Sequence, residues 1–381
     1  MIVLSVILGI YFTWAALYML VFALAAHRSE KVTELLVKHE HSIAVFIPAY
    51  KEDGVIVEVA KKALNQKYSN YDVFVIADSL QKETMQALSQ LPIRVVEVKF
   101  EKSTKVKALN AALDIIKFKY DLAMILDADN VMEEQFLLKI NEQYCRGYEV
   151  IQARRVAKNV NTNFAVLDAV SEAINNNIYN LGQVNLGFSS RLVGSGMAFD
   201  YDLFQELMSK AQAVGGFDKE LELNLLQQGE YIHYINDAII WDEKVSKGAV
   251  FGRQRTRWIA AQFFYLKLHA WPALKSLFKE GNIDYFNKIC QMALPPRLLI
   301  PFFLAIGTVL NFLFCPEVFL LWAIGLGANV IANTISIPQS MFNRNSLIAI
   351  CSLPKAMIIM FFALFKMKNA NKTFIHTPHG S

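Results

Sequence analysis

The chain begins with an uninterrupted apolar stretch, since residues 1–26 contain no charged side chain. As a helix rising 1.5 Å per residue, this stretch is long enough to cross a hydrocarbon core of about 30 Å. A cleavable signal peptide is the alternative, because Ala23 and Ala25 resemble a cleavage site. However, no basic residue precedes the apolar core, and that core is too long for a signal peptide. We therefore predict an uncleaved transmembrane anchor over residues 1–27.

Short apolar runs then alternate with stretches of helical periodicity. This alternation predicts a βαβα arrangement, in which helices cover a mostly parallel sheet. We assign residues 40–250 to this α/β domain. Ligands of such sheets bind beyond the carboxyl ends of the strands, so the polar residues after each strand are functional candidates. The predicted strands are Ile43–Ile47, Val73–Ala77, Val95–Val98 and Leu122–Leu126, and the predicted helices are Val55–Gln66, Lys82–Gln90 and Lys105–Phe118.

The C-terminal third is apolar again. Residues 297–367 predict transmembrane segments, and residues 368–381 form a C-terminal tail. Residues 251–296 mix arginine with tryptophan and phenylalanine, which predicts amphipathic helices at a bilayer surface; packing on the α/β domain is the alternative. Basic residues after the anchor place the α/β domain in the cytoplasm. Four crossings would leave the C-terminal lysines outside, so one segment is expected to be re-entrant or interfacial.

Composition narrows the possible functions. Of the 381 residues, 54% are hydrophobic and 19% charged, which fits a soluble domain joined to membrane spans. The formal charge of +4 lacks the concentrated basicity of a nucleic-acid binder, so no nucleic-acid partner is expected. Four cysteines without C-x-x-C spacing predict neither a disulfide framework nor a zinc site.

Two aspartates follow the fourth predicted strand. Asp127 and Asp129 are one residue apart, a spacing that lets both carboxylates bind a divalent cation that bridges ligand phosphates. A solvated turn is the alternative for this common pattern, but its position after a buried strand favours the metal site. We expect Mg²⁺ or Mn²⁺ as the cofactor.

Further candidates follow the first two strands. Pro48, Ala49, Tyr50 and Glu52 come after the first strand, and Asp78 after the second. An aromatic ring can stack on a nucleotide base, and a carboxylate can accept hydrogen bonds from the base or the ribose. No G-x-G-x-x-G follows the first strand and no P-loop motif occurs, which argues against a dinucleotide-binding dehydrogenase and a P-loop NTPase.

The start of the third predicted helix and a glycine-rich turn add donor and acceptor candidates. Lys105 and Lys107 lie at the start of this helix, and an ammonium group beside helix N–H groups suits an anionic diphosphate. An exposed helix lysine is the favoured interpretation for Lys105. Gly194 and Ser195 either bring backbone close to a ligand or form a tight turn.

Two later motifs complete the candidates. Glu220 and Glu222 begin a helical run, where they either stabilise the helix N-terminus or supply a base. Gln254 and Arg257 are three residues apart on one helix face, with Trp258 adjacent. An amide, a guanidinium and an indole together suit phosphate and sugar recognition.

In type and order, these motifs resemble the membrane-associated family 2 glycosyltransferases of the cellulose, hyaluronan and poly-N-acetylglucosamine synthase type. The resemblance covers about Ile43 to Trp258. Pro48, Tyr50 and Glu52 are similar to a P-x-Y-x-E loop of that family. The match of residues 254–258 to its Q-x-x-R-W signature is the most specific of all.

The resemblance implies a GT-A fold and an inverting transfer of a sugar from a nucleotide diphosphate, expected to be UDP. It implies that Asp78 contacts uridine and that Lys107 contacts the diphosphate, together with Gln254 and Arg257. Asp127 and Asp129 correspond to the metal-binding pair of the family.

Trp258, Gly194 and Ser195 are assigned to the acceptor. One departure concerns the base, because the family has an E-D pair where this chain has Lys219-Glu220. Glu220 is then the expected base, Glu222 the fallback and Asp218 a less favoured third.

These inferences predict a multi-pass enzyme of the inner cell membrane with a cytoplasmic catalytic domain. It passes a sugar to a saccharide or lipid-linked acceptor in the synthesis of cell-surface polysaccharide or glycoconjugate. The small C-terminal bundle suggests a partner subunit if a polymer is exported. Two alternatives stay open: a polyprenyl-phosphate or lipid glycosyltransferase, and a non-catalytic membrane component that binds nucleotide sugars.

Overall fold

A mixed β-sheet forms the centre of the protein. The computed structural model describes residues 2–28, 39–244 and 248–365, with backbone alone at 248–250, and eight strands form one sheet within these residues. The strands are β1 (Ile43–Tyr50), β2 (Tyr71–Asp78), β3 (Arg94–Val98), β4 (Leu122–Ile125), β5 (Val131–Met132), β6 (Val150–Ala157), β7 (Met197–Asp200) and β8 (Ile232–Asp242). Their order across the sheet is β3-β2-β1-β4-β7-β6-β8-β5.

The first half of the sheet has the predicted parallel arrangement. β1 pairs in parallel with β2 and β4, and β2 pairs in parallel with β3. β7 then runs antiparallel to both β4 and β6, so the sheet as a whole is mixed. The predicted α/β fold class is confirmed.

Helices cover both faces of the sheet. One face packs on α4, α8 and α9 through a core that includes Phe46, Phe199 and Phe204, and the other packs on α2 and α5 through Ile47, Ile56 and Phe136. The helices of the α/β domain are α2 (Ile56–Ala63), α3 (Lys82–Ser89), α4 (Lys105–Ile115), α5 (Phe136–Cys145), α6 (Asn163–Asn176), α7 (Gly182–Val184), α8 (Tyr201–Lys210) and α9 (Phe217–Gln228), preceded in the chain by α1 (Ile2–Ala25).

Three helical segments among the described residues are long and apolar enough to cross a membrane: α1, Arg297–Phe314 and Pro316–Ile335. A fourth crossing is possible by length and composition if a bent pair at the C-terminal end, with 49° between its helices, forms one span. The C-terminal elements are α10 (Gly248–Glu280), α11 (Ile283–Ala293), α12 (Ile300–Phe314), α13 (Pro316–Ile335), and the bent pair α14 (Arg344–Ile350) and α15 (Leu353–Phe365). The predicted tail at 368–381 lies outside the described residues.

Small residues let the apolar helices and the α/β domain pack closely. A methyl group added at Gly182 would lie 2.1 Å from the backbone carbonyl oxygen of Phe22, and one at Gly307 would lie 2.0 Å from the Trp322 ring. Helices in contact through such residues bring their backbones unusually near to one another. The α/β domain therefore packs directly against α1.

Helix α10 connects the α/β domain to the apolar helices. Its first half packs on α15, where Ile259 is buried beside Met360. Farther along, large apolar side chains are exposed, among them Phe264, Trp271 and Phe278. The location of residues 251–296 at a bilayer surface stays a prediction.

Candidate active site

A cavity of about 480 Å³ opens at the carboxyl ends of β1, β2 and β4. Ligands of open α/β sheets bind at this edge, so its lining tests the sequence-derived candidates. The predicted residues that line it are Pro48, Ala49, Tyr50, Glu52, Asp78, Asp127, Asp129, Gly194, Gln254, Arg257 and Trp258. The structure thus gathers candidates from both ends of the domain around one space.

Backbone turns in an unusual conformation shape the first wall. Lys51 follows β1 with φ 55° and Ser79 follows β2 with φ 59°. Non-glycine residues seldom adopt positive φ, and asparagine tolerates it better than lysine. Lys51 and Ser79 therefore mark two tight turns at this edge of the sheet. The Lys51 N–H donates to the Asp78 carbonyl oxygen at 3.1 Å, which ties the two turns together.

Asp78 is almost fully buried at the base of this wall. Its two carboxylate oxygens accept hydrogen bonds from the hydroxyls of Ser79 and Ser103. A carboxylate has about four acceptor sites, so these bonds leave capacity for a ligand N–H or hydroxyl. Fixed in this way, Asp78 presents a preorganised acceptor to the cavity.

A buried serine fixes the loop that carries the two aspartates. The Ser195 hydroxyl accepts from the Asp127 N–H at 2.9 Å and donates to the Asn130 side-chain oxygen at 2.5 Å. Ser195 is fully buried and does not line the cavity. The sequence predicts an acceptor contact for Ser195. In the structure, Ser195 instead positions Asp127.

The two aspartates suit a divalent cation. Asp127 is partly exposed to the cavity, while Asp129 is buried and accepts from Asn130 at 3.0 Å and from the Glu243 N–H at 3.3 Å. No group of three or more His, Cys, Asp or Glu side chains among the described residues is arranged to hold a metal. Mg²⁺ is commonly bound by one or two carboxylates and completed by substrate phosphates, which matches this pair.

Lys105, rather than Lys107, occupies the cavity. Its ammonium group lies 2.5 Å from an Asp127 oxygen and 2.6 Å from the Gly194 carbonyl oxygen. Lys107 does not line the cavity, and its ammonium group donates to the Lys102 carbonyl oxygen. Thr104 caps the helix at the preceding position, and residues two apart on a helix point about 200° away from each other. Lys105 therefore takes the cavity position predicted for Lys107, and Lys107 takes the exposed position predicted for Lys105.

A buried network of charges lies beside the aspartates, and sequence reasoning missed it. The Arg155 guanidinium lies 2.6 Å from Glu172 and 3.6 Å from Asp242, and the Lys244 ammonium group pairs with both acids. Burial alone would raise the pKa of Asp242, but Arg155 and Lys244 hold that pKa at about 2. Asn130 donates to Asp242 at 3.1 Å as well as to Asp129, which links the network to the candidate metal site.

The low pKa of Asp242 predicts a pH dependence of stability. Because its pKa of about 2 lies below the ordinary value of 3.8, Asp242 stabilises the fold above about pH 4, and this contribution is lost as the pH falls towards 2. In Asp242→Asn the free energy of unfolding should therefore change less steeply between pH 4 and pH 2, as measured by denaturation in detergent. Glu206→Gln, at an exposed pair on α8, is the control and should keep the wild-type slope. An unchanged slope in Asp242→Asn would contradict the prediction.

The acids of α9 lie elsewhere than expected. The Glu220 carboxylate accepts from the N–H groups of Gln212 and Ala213, and Glu222 forms a buried ion pair with Lys288 at 2.6 Å. Neither glutamate lines the main cavity, whereas Asp218 does. Both glutamates are thus engaged in holding the fold around α9, which leaves Asp218 as the α9 carboxylate that faces the cavity.

The start of α10 forms the remaining wall. Arg255 pairs with Asp168 of α6, and its guanidinium lies 4.2 Å from the centre of the Trp258 ring. This anchor turns the helix so that Gln254, Arg257 and Trp258 all line the cavity. Burial lowers the pKa of Arg257. The predicted common face of Gln254 and Arg257 is therefore present.

Comparison with known proteins identifies relatives of the chain. Residues 40–261 match the family described as "Glycosyltransferase like family 2". A curated relative, the probable glycosyltransferase YdaM of Bacillus subtilis (strain 168), is 23% identical over an alignment 248 residues long, which covers 59% of this chain and 58% of that protein. The chain thus spans less than two thirds of that relative.

Among solved structures, a similar one is the mannosyltransferase PcManGT from Pyrobaculum calidifontis in complex with GDP-Man and Mn²⁺. It superposes with a TM-score of 0.54 at 15% sequence identity and covers 87% of this chain and 98% of its own. The two proteins therefore share a fold.

Proposed function

Because this chain belongs to the glycosyltransferase like family 2, we propose that it is an inverting glycosyltransferase that uses a UDP-linked sugar at a membrane. The observation that carries this proposal is the single cavity at the strand ends. Asp78, Asp127, Asp129 and Arg257 all line it, although they come from distant parts of the chain. Together they offer acceptors for a nucleoside, oxygen ligands for a metal and a cation for a diphosphate.

The nucleoside would bind between the turns after β1 and β2. Tyr50 lines this part of the cavity and can stack on the uracil ring, with Pro48 and Ala49 beside it. The fixed carboxylate of Asp78 can accept from the uracil N–H or from ribose hydroxyls, and Glu52 adds a second acid.

The diphosphate would bind next to Asp127 and Asp129, which would hold Mg²⁺ or Mn²⁺. Such an ion, when bound, supplies positive charge to the leaving group. The similar PcManGT structure contains Mn²⁺ with GDP-Man, which supports a divalent ion here. Lys105 and Arg257 line the same space and would contribute further positive charge, and the Gln254 amide can donate to a phosphate oxygen.

The reaction would be a single displacement. An acceptor hydroxyl oxygen forms a bond to the anomeric carbon while the bond from that carbon to the diphosphate oxygen breaks, and UDP leaves with the bonding electrons. Attack on the opposite face inverts the anomeric configuration. We assign the acceptance of the hydroxyl proton to Asp218, since Glu220 and Glu222 make other contacts.

The acceptor would enter beside the membrane helices. Trp258 is 39% exposed at the cavity wall, and aromatic rings of this kind stack on sugars. We place α1, α12 and α13 across the inner cell membrane, with the α/β domain in the cytoplasm, and take the acceptor to be a saccharide or a lipid-linked group. Export of a polymer would require a partner subunit.

Release of UDP tests the proposal. Purified full-length protein in detergent is incubated with Mg²⁺ or Mn²⁺ and a panel of UDP- and GDP-linked sugars, together with membrane lipids and oligosaccharides as acceptors. We expect metal-dependent UDP release from one UDP-sugar. Release of GDP instead would overturn the choice of nucleotide. Binding of UDP without turnover of any donor would favour a non-catalytic membrane component.

A further inference from the structure

A second, smaller cavity adjoins the proposed active site. It has a volume of about 170 Å³ and shares Arg191, Lys219 and Trp258 with the main cavity. We call it the side cavity. At its other end it is lined by Met360 of α15 and by Leu298, which belongs to the apolar segment Arg297–Phe314 that includes α12. The side cavity thus lies between the active site and the membrane helices.

The side cavity is strongly cationic. Among the described residues, five cations and one carboxylate, Glu222, line it. Three of the cations have carboxylate partners nearby: Lys288 pairs with Glu222 at 2.6 Å, Lys219 lies 3.9 Å from Asp218, and Arg255 pairs with Asp168. The two remaining cations are Arg191 and Arg297.

The Arg191 guanidinium forms no salt bridge among the described residues, and the nearby carboxylates of Glu222 and Glu172 offset only part of the effect of burial on its pKa. Its Nε atom is inaccessible to solvent and has no hydrogen-bond partner, and burial lowers the pKa of the group. Arg191 lies over the Tyr179 ring at 5.8 Å, and its backbone N–H donates to the side-chain oxygen of Asn180. Tyr179 and Asn180 belong to a π-helical turn at 177–181, a local distortion that often marks functional sites.

Arg297 makes only neutral contacts among the described residues. Its guanidinium donates to the side-chain oxygens of Asn175, Asn333 and Ser171, at 3.1, 2.7 and 2.5 Å. These partners orient the group but leave its charge uncompensated. A buried charge without a counter-ion is costly, and that cost would be offset by a bound anion.

We propose that the acceptor is a phosphate-bearing lipid whose phosphate is bound by Arg191 and Arg297 in the side cavity. This inference rests on the proposed function and names the substrate class of the same site. Guanidinium groups match phosphate oxygens in geometry. The guanidinium groups of Arg191 and Arg297 form no salt bridge with a carboxylate among the described residues.

The lining of the side cavity explains why the phosphate belongs to a lipid. Leu298 and Met360 line the cavity where it meets the membrane helices, together with Ile259. Acyl or prenyl chains would pack there and continue into the bilayer. In the opposite direction the side cavity opens into the main cavity at Trp258. A hydroxyl carried beyond the phosphate would therefore reach Asp218 and the donor sugar.

Binding can be tested without catalysis. Vesicles of phosphatidylcholine containing phosphatidic acid should raise the thermal unfolding temperature of the full chain more than vesicles containing diacylglycerol, which lacks the phosphate. Arg191→Gln and Arg297→Gln should each lose this difference. The unfolding temperature of each variant without vesicles shows whether it is folded. Arg344→Gln, an exposed arginine at the start of α14, is the control and should behave as wild type. An equal shift in the arginine variants would overturn the proposal.

Transfer provides the second readout. With a radiolabelled donor and a membrane lipid extract separated by anion exchange, label should enter the anionic lipid fraction, and Arg191→Gln and Arg297→Gln should lower its incorporation at least tenfold. Hydrolytic UDP release and UDP binding should stay at wild-type levels in Arg297→Gln, because Arg297 does not line the main cavity. Label confined to neutral lipids or to water-soluble saccharides would overturn this inference while leaving the proposed donor chemistry intact. Absence of UDP release in the wild type would instead overturn the proposed function.

Discussion

Asp127→Asn should lower metal-dependent UDP release by at least about 10³-fold, because a metal ion contributes several kcal/mol of charge stabilisation and each 1.36 kcal/mol is worth a factor of ten. Asn keeps the size of the side chain and removes the anionic oxygen that would bind the ion. Lys105, which lies 2.5 Å from Asp127, would lose its carboxylate partner and keep its hydrogen bond to the Gly194 carbonyl oxygen. UDP release at saturating donor, measured against Mg²⁺ or Mn²⁺ concentration, checks this prediction.

The matched control is Asp202→Asn, an exposed aspartate of α8 that pairs with Lys119 far from the cavity. It should retain wild-type release and the same dependence on metal. The unfolding temperature of Asp127→Asn shows whether the variant is folded. Full activity in folded Asp127→Asn would contradict the proposed metal site, because Asp129 already accepts from Asn130 and the Glu243 N–H.

The parallel half of the sheet could be predicted because its strands are short apolar runs that are buried on both faces. β1 shows this most clearly, with residues 43–47 all buried. The strands of the second half of the sheet have weaker hydrophobic patterns. β7 has four residues and β5 two, and β8 and β6 pair with a register shift at Ala153 and Arg154. Strands this short or irregular do not produce a periodicity that stands out from the sequence.

Motifs at strand ends predicted the residues proposed to bind the donor. No motif in the sequence indicated the buried charge network. Asp78 and Asp127 lie where a strand ends, and strand ends converge at one edge of the sheet. Arg155 and Glu172 meet only because β6 and α6 fold together, and neither belongs to a motif. Asp242 is the last residue of β8, but β8 itself was not predicted, so the strand-end position of Asp242 went unnoticed.

The roles of the two lysines and the α9 acids depended on which side of a helix faces the cavity. Lys105 and Lys107 differ by about 200° around α4, so a shift of two residues exchanges the buried and exposed positions. The same sensitivity applies at α9, where Asp218 and Glu220 are also two residues apart. A motif alignment fixes the sequence position of a base but not the face of the helix on which it lies.

Asp218→Asn should therefore reduce sugar transfer by about 10²- to 10⁴-fold, the usual contribution of a general base, while donor binding stays intact. Asp218 lies in the first turn of α9, where its carboxylate oxygens can accept a proton from an acceptor hydroxyl. It also lines the same cavity as Asp127 and Trp258. The measurement is the rate of transfer at saturating donor, with UDP affinity determined separately.

Glu220→Gln is the decisive comparison, because Glu220 occupies the position of the base in the family that the sequence resembles. Its carboxylate accepts from the N–H groups of Gln212 and Ala213. Removing one anionic oxygen should therefore destabilise the turn before α9 more than it slows sugar transfer. We expect a lower unfolding temperature and less than a tenfold loss of transfer. If Glu220→Gln instead abolishes transfer at unchanged stability while Asp218→Asn remains active, the base is Glu220 and this segment must rearrange when substrates bind.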